Sequence, residues 1–222
     1  MPASTLYSAR GSTNTDRVRL TLAEGGFTDY EIVHLNLYTG EQKSEEHVKR
    51  HPWGKVPAIT FPNGFTLHES RVICAYLARK FDFALLPPTS NVEATALHEQ
   101  AQAIEMSYFA EPAGRLAFEK FVKKRLNMPP NDAAVTDALK SLDVFFDVAE
   151  ETLQRQGYMA GDEFSLVDVY YIPLIQRLFV MGHGDLVTSR EAVGGWWSRC
   201  INRPAMSQMF EGDRTDGAAG SR

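Results

Sequence analysis

The sequence predicts an α/β domain followed by an all-α domain. Strand and helix patterns alternate up to Phe81, whereas every apolar pattern after the Pro87-Pro88 step has helical periodicity. Consecutive prolines stop helices and stiffen the chain, which predicts a linker. The 222 residues are enough for one large domain or two small ones. The predicted regions are an N-terminal domain over 1–83, a linker over 84–91, a helical domain over 92–210 and, where apolar periodicity ends, a disordered tail over 211–222.

The first elements form a strand–helix–strand unit. Thr5–Tyr7 is a short apolar strand, and a polar loop leads from it into a helix over Thr15–Glu24 that ends at Gly25-Gly26. Tyr30–Leu37 is the second strand. Such a unit predicts parallel strands with a right-handed crossover.

The next elements add a hairpin and a helix. Thr39–Arg50 is polar and charged, which predicts an exposed loop or a short helix. Two apolar runs, Ala58–Phe61 and Phe65–Leu67, flank the Asn63-Gly64 pair, a strong hairpin signal. A helix over Glu69–Phe81 follows, and the resulting βαβ–loop–ββα order is thioredoxin-like.

Four long helical segments make up the second domain. Ser165, three residues before Asp168, has the spacing of a capping box at the start of a helix that is apolar nearly all round and therefore buried. We interpret this motif as a folding signal and not as a site. The predicted helices cover Val92 to about Leu126 with an interruption at Pro112, Asp132–Gln156, Ser165 to about Met181, and Val193 to about Met209.

Composition and charge exclude several classes of function. The net charge of −5 is interspersed along the chain, whereas nucleic-acid binding needs a clustered basic face, so we expect no nucleic-acid partner. No apolar run approaches a membrane span, and the first residues have no apolar signal core. Cys74 and Cys200 lie in apolar helical patterns, which predicts reduced thiols in a reducing compartment. We therefore expect a cytoplasmic protein.

Metal and thiol chemistry are not expected either. None of the six histidines has metal-ligand spacing, and the sequence contains neither an HExxH motif nor a paired CxxC motif. Cys74 lies inside a predicted helix and not at its N-terminus, which indicates a core residue. The expectation is a protein without a metal or another cofactor.

Three segments, in order and at suitable separations, resemble the landmarks of the cytosolic glutathione transferases. They are His51–Ile59 with the sequence HPWGKVPAI, the helix start Glu69-Ser70-Arg71 and the box at Ser165. The similarity spans about residues 4–210. It implies the glutathione transferase fold, with an α/β thioredoxin-like N-terminal domain and an all-α C-terminal domain.

The loop before the first helix carries the implied catalytic hydroxyl. The segment Gly11–Val18 is similar to the serine-type classes, most closely the phi class. The run Arg17-Val18-Arg19 also resembles the zeta class, but this loop has no cysteine to support that class. The phi-class resemblance implies that Ser12 is catalytic, with Thr13 and Ser8 as nearby alternatives and helix capping as the alternative role. The nucleophile is then the cysteinyl thiol of glutathione, whose ordinary pKa is about 8.5. A hydroxyl donating to sulfur at a helix N-terminus stabilises the thiolate.

The resemblance also implies how glutathione, the co-substrate, is held. It requires a cis peptide bond before Pro57, with Val56 pairing like an added strand with the cysteinyl backbone. Glu69 would meet the γ-glutamyl ammonium, and Ser70 the γ-glutamyl carboxylate. The residues implied for the glycyl carboxylate are Gln42, Lys43 and Lys55. Phi-class proteins more often have His at the position of Gln42 and Gln at the position of Lys55.

The implied second substrate is a small hydrophobic electrophile, which needs an apolar pocket. Candidates on the long helix after the linker would face the first domain, with Tyr108 and Arg115 adding polarity, although aromatics at helical spacing are more often core. The candidates are Met106, Phe109, Phe118 and Phe121. Trp53 is a candidate interface anchor, because the resemblance implies a homodimer.

Two functions remain open on the sequence alone. The resemblance implies an enzyme that joins glutathione to electrophilic organic compounds, with glutathione-dependent reduction of hydroperoxides as a further candidate activity. The alternative is a non-catalytic, ligandin-like carrier or a regulatory protein, because a fold alone does not decide activity.

Overall fold

The computed structural model describes residues 2–207 and 209. These residues fall into two compact units, one containing 2–84 with 204–207 and 209, the other containing 85–203. The predicted tail over 211–222 lies outside the described residues. Leu85, predicted in the linker, is buried, and its carbonyl accepts from the Leu166 N–H at 2.9 Å within the second unit.

The first unit contains a sheet of four strands: β1 (Thr5–Ser8), β2 (Glu31–His34), β3 (Ala58–Thr60) and β4 (Thr66–His68). Their spatial order is β2-β1-β3-β4. β1 pairs in parallel with β2 and antiparallel with β3, and β3 pairs antiparallel with β4. The thioredoxin-like α/β order predicted from the sequence is therefore confirmed. Gly64, with φ +83°, forms the turn between β3 and β4, a conformation that glycine adopts readily.

Three helices complete the first unit: α1 (Thr13–Glu24), α2 (Glu45–Arg50) and α3 (Ser70–Lys80). A single 3₁₀ turn over Glu41–Lys43 precedes α2. α1 packs along α3. Their shared core is apolar and includes Leu22, Ile73 and Leu77, all fully buried.

The second unit is all-helical. Its helices are α4 (Val92–Ile104), α5 (Glu111–Ala117), α6 (Lys123–Arg125), α7 (Asp132–Leu153), α8 (Leu166–Val180), α9 (Asp185–Thr188) and α10 (Glu191–Ile201). Two π-helical segments, Glu105–Ala110 and Phe118–Val122, join α4, α5 and α6 without a break. Within residues 2–207 and 209, no helix combines the length and apolarity needed to cross a membrane.

Two helix boundaries differ from the sequence prediction. Pro112 does not interrupt the long helix, because it lies at the start of α5, directly after a π-helical segment where the hydrogen-bond register already changes. The last predicted helix is divided: α10 ends at Ile201, two residues before the Arg203-Pro204 step. Proline disfavours the α conformation of the residue before it, here Arg203, which accounts for the division.

The predicted capping box is present. Ser165 Oγ accepts from the Val167 N–H at 3.3 Å, and Asp168 Oδ2 accepts from the Ser165 N–H at 2.9 Å. Asp168 Oδ1 also accepts from the Met159 N–H at 3.0 Å and from Trp196 Nε1–H at 2.9 Å. Burial raises the pKa of the Asp168 carboxyl, and these hydrogen bonds oppose that rise. The group therefore ties α8 to α10 and to the loop before α8.

Candidate active site

Ser12 is the N-cap of α1. Its Oγ accepts from the Thr15 N–H at 3.3 Å, and its own N–H donates to the Ala9 carbonyl at 3.1 Å. Gly11, with φ +73°, turns the chain immediately before it. Because Oγ is the acceptor in the capping bond, the hydroxyl retains its proton for donation to a ligand.

The two alternative hydroxyls have different surroundings. Ser8 is the last residue of β1 and is buried. Thr13 is the first residue of α1 and is half-buried. Of the three hydroxyls, Ser12 is the one that combines partial exposure with the N-cap position.

Glu69 and Ser70 stand at the start of α3. Glu69 is exposed and has φ +71°, a left-handed conformation that is uncommon for a residue with a side chain. Such backbone strain is found most often at functional sites. Ser70 is buried, and its Oγ accepts from Arg17 Nη1 at 3.4 Å. The first unit thus brings hydroxyls to the N-termini of two helices, which favour anions.

Arg17 was not predicted as a site residue. It lies on α1 on the same helical face as Asn14, three residues earlier, and its Nη1 donates to Asn14 Oδ1 as well as to Ser70 Oγ. A charged residue in an amphipathic helix normally predicts exposure, so the sequence misleads here. The available signal is the i, i+3, i+7 stripe formed by Asn14, Arg17 and Thr21.

The backbone of Val56 is the strand-like element of the site. The Val56–Pro57 peptide bond is cis, as the resemblance implies, and both residues are buried just before β3. Among residues 2–207 and 209, no hydrogen-bond partner for the Val56 N–H or C=O is present. Both groups can therefore pair with an extended ligand.

The three residues predicted for the glycyl carboxylate lie on two adjacent segments. Gly54 has φ +57°, and a Cβ there would lie 2.7 Å from the Gln42 carbonyl oxygen, so the two segments require glycine at their contact. Lys43 Nζ donates to the Trp53 carbonyl at 2.7 Å. Lys55 is exposed, and its carbonyl accepts from His47 Nε2–H at 2.7 Å.

Comparison with known proteins decides the family. The family model for the glutathione S-transferase N-terminal domain matches residues 2–79, and the model for the C-terminal domain matches residues 103–204. The chain is 37% identical over 188 residues to glutathione S-transferase hmp2 of Hypomyces subiculosus, covering 83% of this chain and 88% of that protein. This chain belongs to the glutathione S-transferase family.

Further comparisons confirm the similarity of this glutathione S-transferase to the phi class. It is 32% identical over 204 residues to glutathione S-transferase 1 of Zea mays, covering 92% of this chain and 94% of the maize protein. The solved structure of glutathione S-transferase I from maize, in complex with an atrazine glutathione conjugate, superposes with a TM-score of 0.87. That pair is 32% identical, and the match covers 94% of this chain and 96% of the maize chain.

The candidates for the electrophile pocket have unequal exposure in this family member. Met106 and Phe118 are 50% and 48% exposed. Phe121 is half-buried beneath Arg177, whose guanidinium carbon lies 3.5 Å from the ring centroid. Phe109 is fully buried, with its ring against those of Phe145, Phe146 and Tyr171, and thus belongs to the core of the helical unit.

A cavity of about 640 Å³ lies in the helical unit of this transferase. It is bounded by the α4–α5 stretch on one side and by α7 on the other, and most of its lining is apolar. Tyr108 lines it, whereas Met106 and Phe118 do not. Its other large apolar or aromatic lining side chains are Ile104, Val144, Phe145, Val148, Met159 and Tyr171.

Cys74 takes no part in the candidate site. It is fully buried in α3, and burial raises the pKa of its thiol to about 12, so it remains a neutral thiol near pH 7. Within residues 2–207 and 209, no group of three or more His, Cys, Asp or Glu side chains is arranged to hold a metal ion.

Proposed function

We propose that this protein is a serine-type glutathione transferase that conjugates glutathione to small hydrophobic electrophiles. The observation that carries the proposal is the Ser12 hydroxyl, which caps α1 through its oxygen and retains its proton for a ligand. The membership of the glutathione S-transferase family supports the same reaction. The buried position of Ser8 and the position of Thr13 inside α1 favour Ser12 over both alternatives.

In the proposed reaction, Ser12 acts as a hydrogen-bond donor and not as a base. The glutathione thiol releases its proton to solvent, and Ser12 donates its hydroxyl hydrogen to the resulting thiolate. The partial positive charge at the N-terminus of α1 adds to this stabilisation. Each unit of pKa depression corresponds to about 1.4 kcal/mol in favour of the anion. The sulfur then bonds to the electrophilic carbon, and the leaving group departs with the electron pair of its bond.

Glutathione is held by groups of the first unit. The Val56 N–H and C=O pair with the cysteinyl backbone, and Pro57 fixes the chain beside it. The exposed Glu69 meets the γ-glutamyl ammonium, while Ser70 at the N-terminus of α3 meets the γ-glutamyl carboxylate. The glycyl carboxylate is met by Gln42, Lys43 and Lys55, which the close approach at Gly54 supports.

The electrophile is bound by apolar side chains of the α4–α6 stretch. Met106 and Phe118 are the strongest of the predicted set, because each exposes about half of its side chain. Phe121, whose ring is covered by the Arg177 guanidinium, contributes less exposed surface, whereas Phe109 supports the pocket from the core.

We also propose that the protein is a homodimer. Trp53 is 64% exposed, and Tyr108, Val144 and Val148 expose apolar surface around the cavity of the helical unit. Large exposed apolar groups of this kind are typical of protein interfaces. We propose that Trp53 of one protomer anchors against this apolar surface of its partner.

A cytoplasmic location fits the buried Cys74 and Cys200, which form no disulfide.

The decisive test combines binding with turnover. The purified chain is titrated with glutathione by calorimetry and assayed with an aryl halide and with an organic hydroperoxide. Conjugation of the aryl halide supports the transferase, and peroxide reduction adds the second activity. Binding of glutathione without either reaction would establish the alternative, a ligandin-like carrier.

A further inference from the structure

The ring of Phe121, one of the predicted electrophile residues, lies against two arginine side chains. The guanidinium carbon of Arg177 is 3.5 Å from the ring centroid, and that of Arg125 is 4.2 Å from it. Arg177 belongs to α8 and Arg125 to α6, so the two charges come from distant parts of the helical unit. The half-buried ring thus gathers two cations at one place beside the proposed electrophile surface.

The stacking of Arg177 directs its hydrogen-bond donors away from the ring. At 3.5 Å the two planar groups touch at van der Waals distance, which requires the guanidinium to lie flat on the ring. The N–H donors of a guanidinium lie in its own plane, so the ring face occupies none of them. Donors in this fixed fork suit an oxyanion, such as a carboxylate or a sulfonate, better than a neutral ligand.

A third cation lies where the same stretch meets the loop after α8. Lys120 Nζ is 3.1 Å from His183 Nε2. Because an ammonium only donates, the imidazole nitrogen is the acceptor, and His183 is neutral in this pair. Burial and the neighbouring Lys120 hold the pKa of His183 below its ordinary value, although Asp185 acts in the opposite direction. The positive charge of the pair therefore stays on Lys120.

The carboxylate next to Lys120 along the chain is engaged elsewhere. Glu119 Oε2 accepts from Lys123 Nζ at 2.6 Å and from the Asn131 N–H at 2.6 Å. These two bonds hold the pKa of Glu119 below its ordinary value. The charge of Glu119 is thus balanced by Lys123, and the surroundings of Phe121 remain cationic.

We propose that the electrophile site selects aromatic electrophiles that carry an anionic group, with Arg125 and Arg177 as the specificity-determining residues. The two guanidinium groups bind the carboxylate or sulfonate. Phe118, which is 48% exposed and lies in the same π-helical segment as Phe121, contacts the apolar body of the molecule. An apolar pocket without these charges would select against an anion, because transferring a charge into it is costly. This inference rests on the proposed function, because it names the substrate class of the same site.

A pair of fluorescent probes tests the anion preference without turnover. The first is 8-anilinonaphthalene-1-sulfonate, and the second is N-phenyl-1-naphthylamine, which has the same rings without the sulfonate. Titration gives both dissociation constants for the wild type, Arg125→Gln and Arg177→Gln. Each substitution is expected to raise the dissociation constant of the sulfonate about fivefold and that of the neutral amine by less than about twofold.

Two further variants serve as controls. Lys124→Gln removes an equal charge from an exposed side chain of α6 and is expected to change both dissociation constants by less than about twofold. Arg125→Lys keeps the charge without the planar fork and is expected to weaken sulfonate binding less than Arg125→Gln does.

Two results with the probes would overturn the proposal. Equal effects of the arginine substitutions on both probes would mean that the arginines only support the ring of Phe121. An equally large effect of Lys124→Gln on the sulfonate would mean that general surface charge, and not this site, attracts the anion. Since Arg125 is exposed, Arg125→Gln decides the outcome even if Arg177→Gln does not fold.

A matched pair of substrates then tests the preference in the reaction. Glutathione displaces chloride from 4-chloro-3-nitrobenzoate and from the neutral 4-chloro-3-nitrobenzamide: the C–S bond forms, the C–Cl bond breaks, and the thiol proton passes to solvent. The intrinsic reactivities of the two compounds are the same for every variant, so changes in the ratio of their kcat/KM values report recognition alone. The benzoate-to-benzamide ratio is expected to fall about fivefold in each arginine variant and to stay within about twofold in Lys124→Gln.

The two assays separate this inference from the proposed function. A wild type that conjugates neither compound contradicts the transferase proposal, whereas the probes still test the anion preference. Conjugation of both compounds with an unchanged ratio in Arg125→Gln and Arg177→Gln would overturn the inference and leave the transferase proposal standing.

Discussion

The Oγ atom of Ser12 accepts a hydrogen bond from the Thr15 backbone N–H at 3.3 Å, so the proposed catalytic hydroxyl is also the N-cap of α1. The two roles use different parts of the group: the cap uses a lone pair of the oxygen, and thiolate stabilisation uses the proton. Ser12→Ala therefore removes a helix cap together with the donor, and the two losses must be measured separately.

Ser12→Ala is expected to lower kcat/KM for aryl-halide conjugation about 100-fold, because it removes the donor to the developing thiolate. It is also expected to lower the free energy of unfolding by about 1 kcal/mol through loss of the cap. Asn91→Ala is the matched control, since Asn91 Oδ1 caps α4 by accepting from the Ala94 N–H at 3.0 Å. That variant should lose similar stability and keep its activity. Near-normal turnover in Ser12→Ala would exclude Ser12 as the catalytic hydroxyl.

The sequence was sufficient to predict the four strands and the helices α1 and α3 of the first unit, because their signals are local. The Asn63-Gly64 pair marks the hairpin, and the alternating strand and helix patterns predict the parallel pairing of β1 with β2. The Ser165–Asp168 box is also local, since both partners lie within one helical turn.

The features that could not be predicted depend on contacts between distant residues. The bond from Arg17 to Ser70 joins positions 53 apart, and the N–H donors to Asp168 include that of Trp196, 28 residues away. The burial of Phe109 has the same origin: periodicity alone does not distinguish an aromatic in the core from one in a pocket, and the rings of α7 and α8 decide the outcome.

Asp168→Ala is expected to destabilise the helical unit by about 3 kcal/mol. The substitution leaves the buried N–H groups of Met159 and Ser165 and the Trp196 indole without their acceptor. Asp137→Ala, which removes an exposed carboxylate from α7, should change stability by less than about 0.5 kcal/mol. Urea unfolding followed by circular dichroism measures both. Equal stabilities of the two variants would contradict the structural role of Asp168.

His51 is expected to make stability fall in acid. Burial and the neighbouring His68 hold its pKa below the ordinary value of 6.5, and Lys55 and His47 act in the same direction, against Glu69. As the pH falls, the unfolded chain therefore takes up a proton at this histidine before the folded chain does. The contribution of His51 to the free energy of unfolding is fully present above about pH 6.5 and is lost as the pH falls toward the folded-state pKa. The loss of unfolding free energy between pH 7.5 and 5.5 should be smaller in His51→Asn than in the wild type. Identical losses would rule out His51 as the source.

Trp53→Ala is expected to weaken the proposed dimer. Loss of a well-packed aromatic anchor costs about 2 kcal/mol, which corresponds to about a 30-fold rise in the dissociation constant. Tyr38→Ala is the control, because Tyr38 is an aromatic of the same unit with a similar exposure of 66%. Sedimentation equilibrium gives the constant for each protein. A monomeric wild type, or equal constants for all three proteins, would contradict the interface.

The central claim, that Ser12 stabilises a bound thiolate, is tested most directly by titrating the thiol of bound glutathione through its ultraviolet absorbance. The account predicts that the pKa of the bound thiol lies at least about one unit below its ordinary value of about 8.5, and that Ser12→Ala removes most of this shift. An unshifted pKa in the wild-type complex, or the same shift in Ser12→Ala, would contradict it.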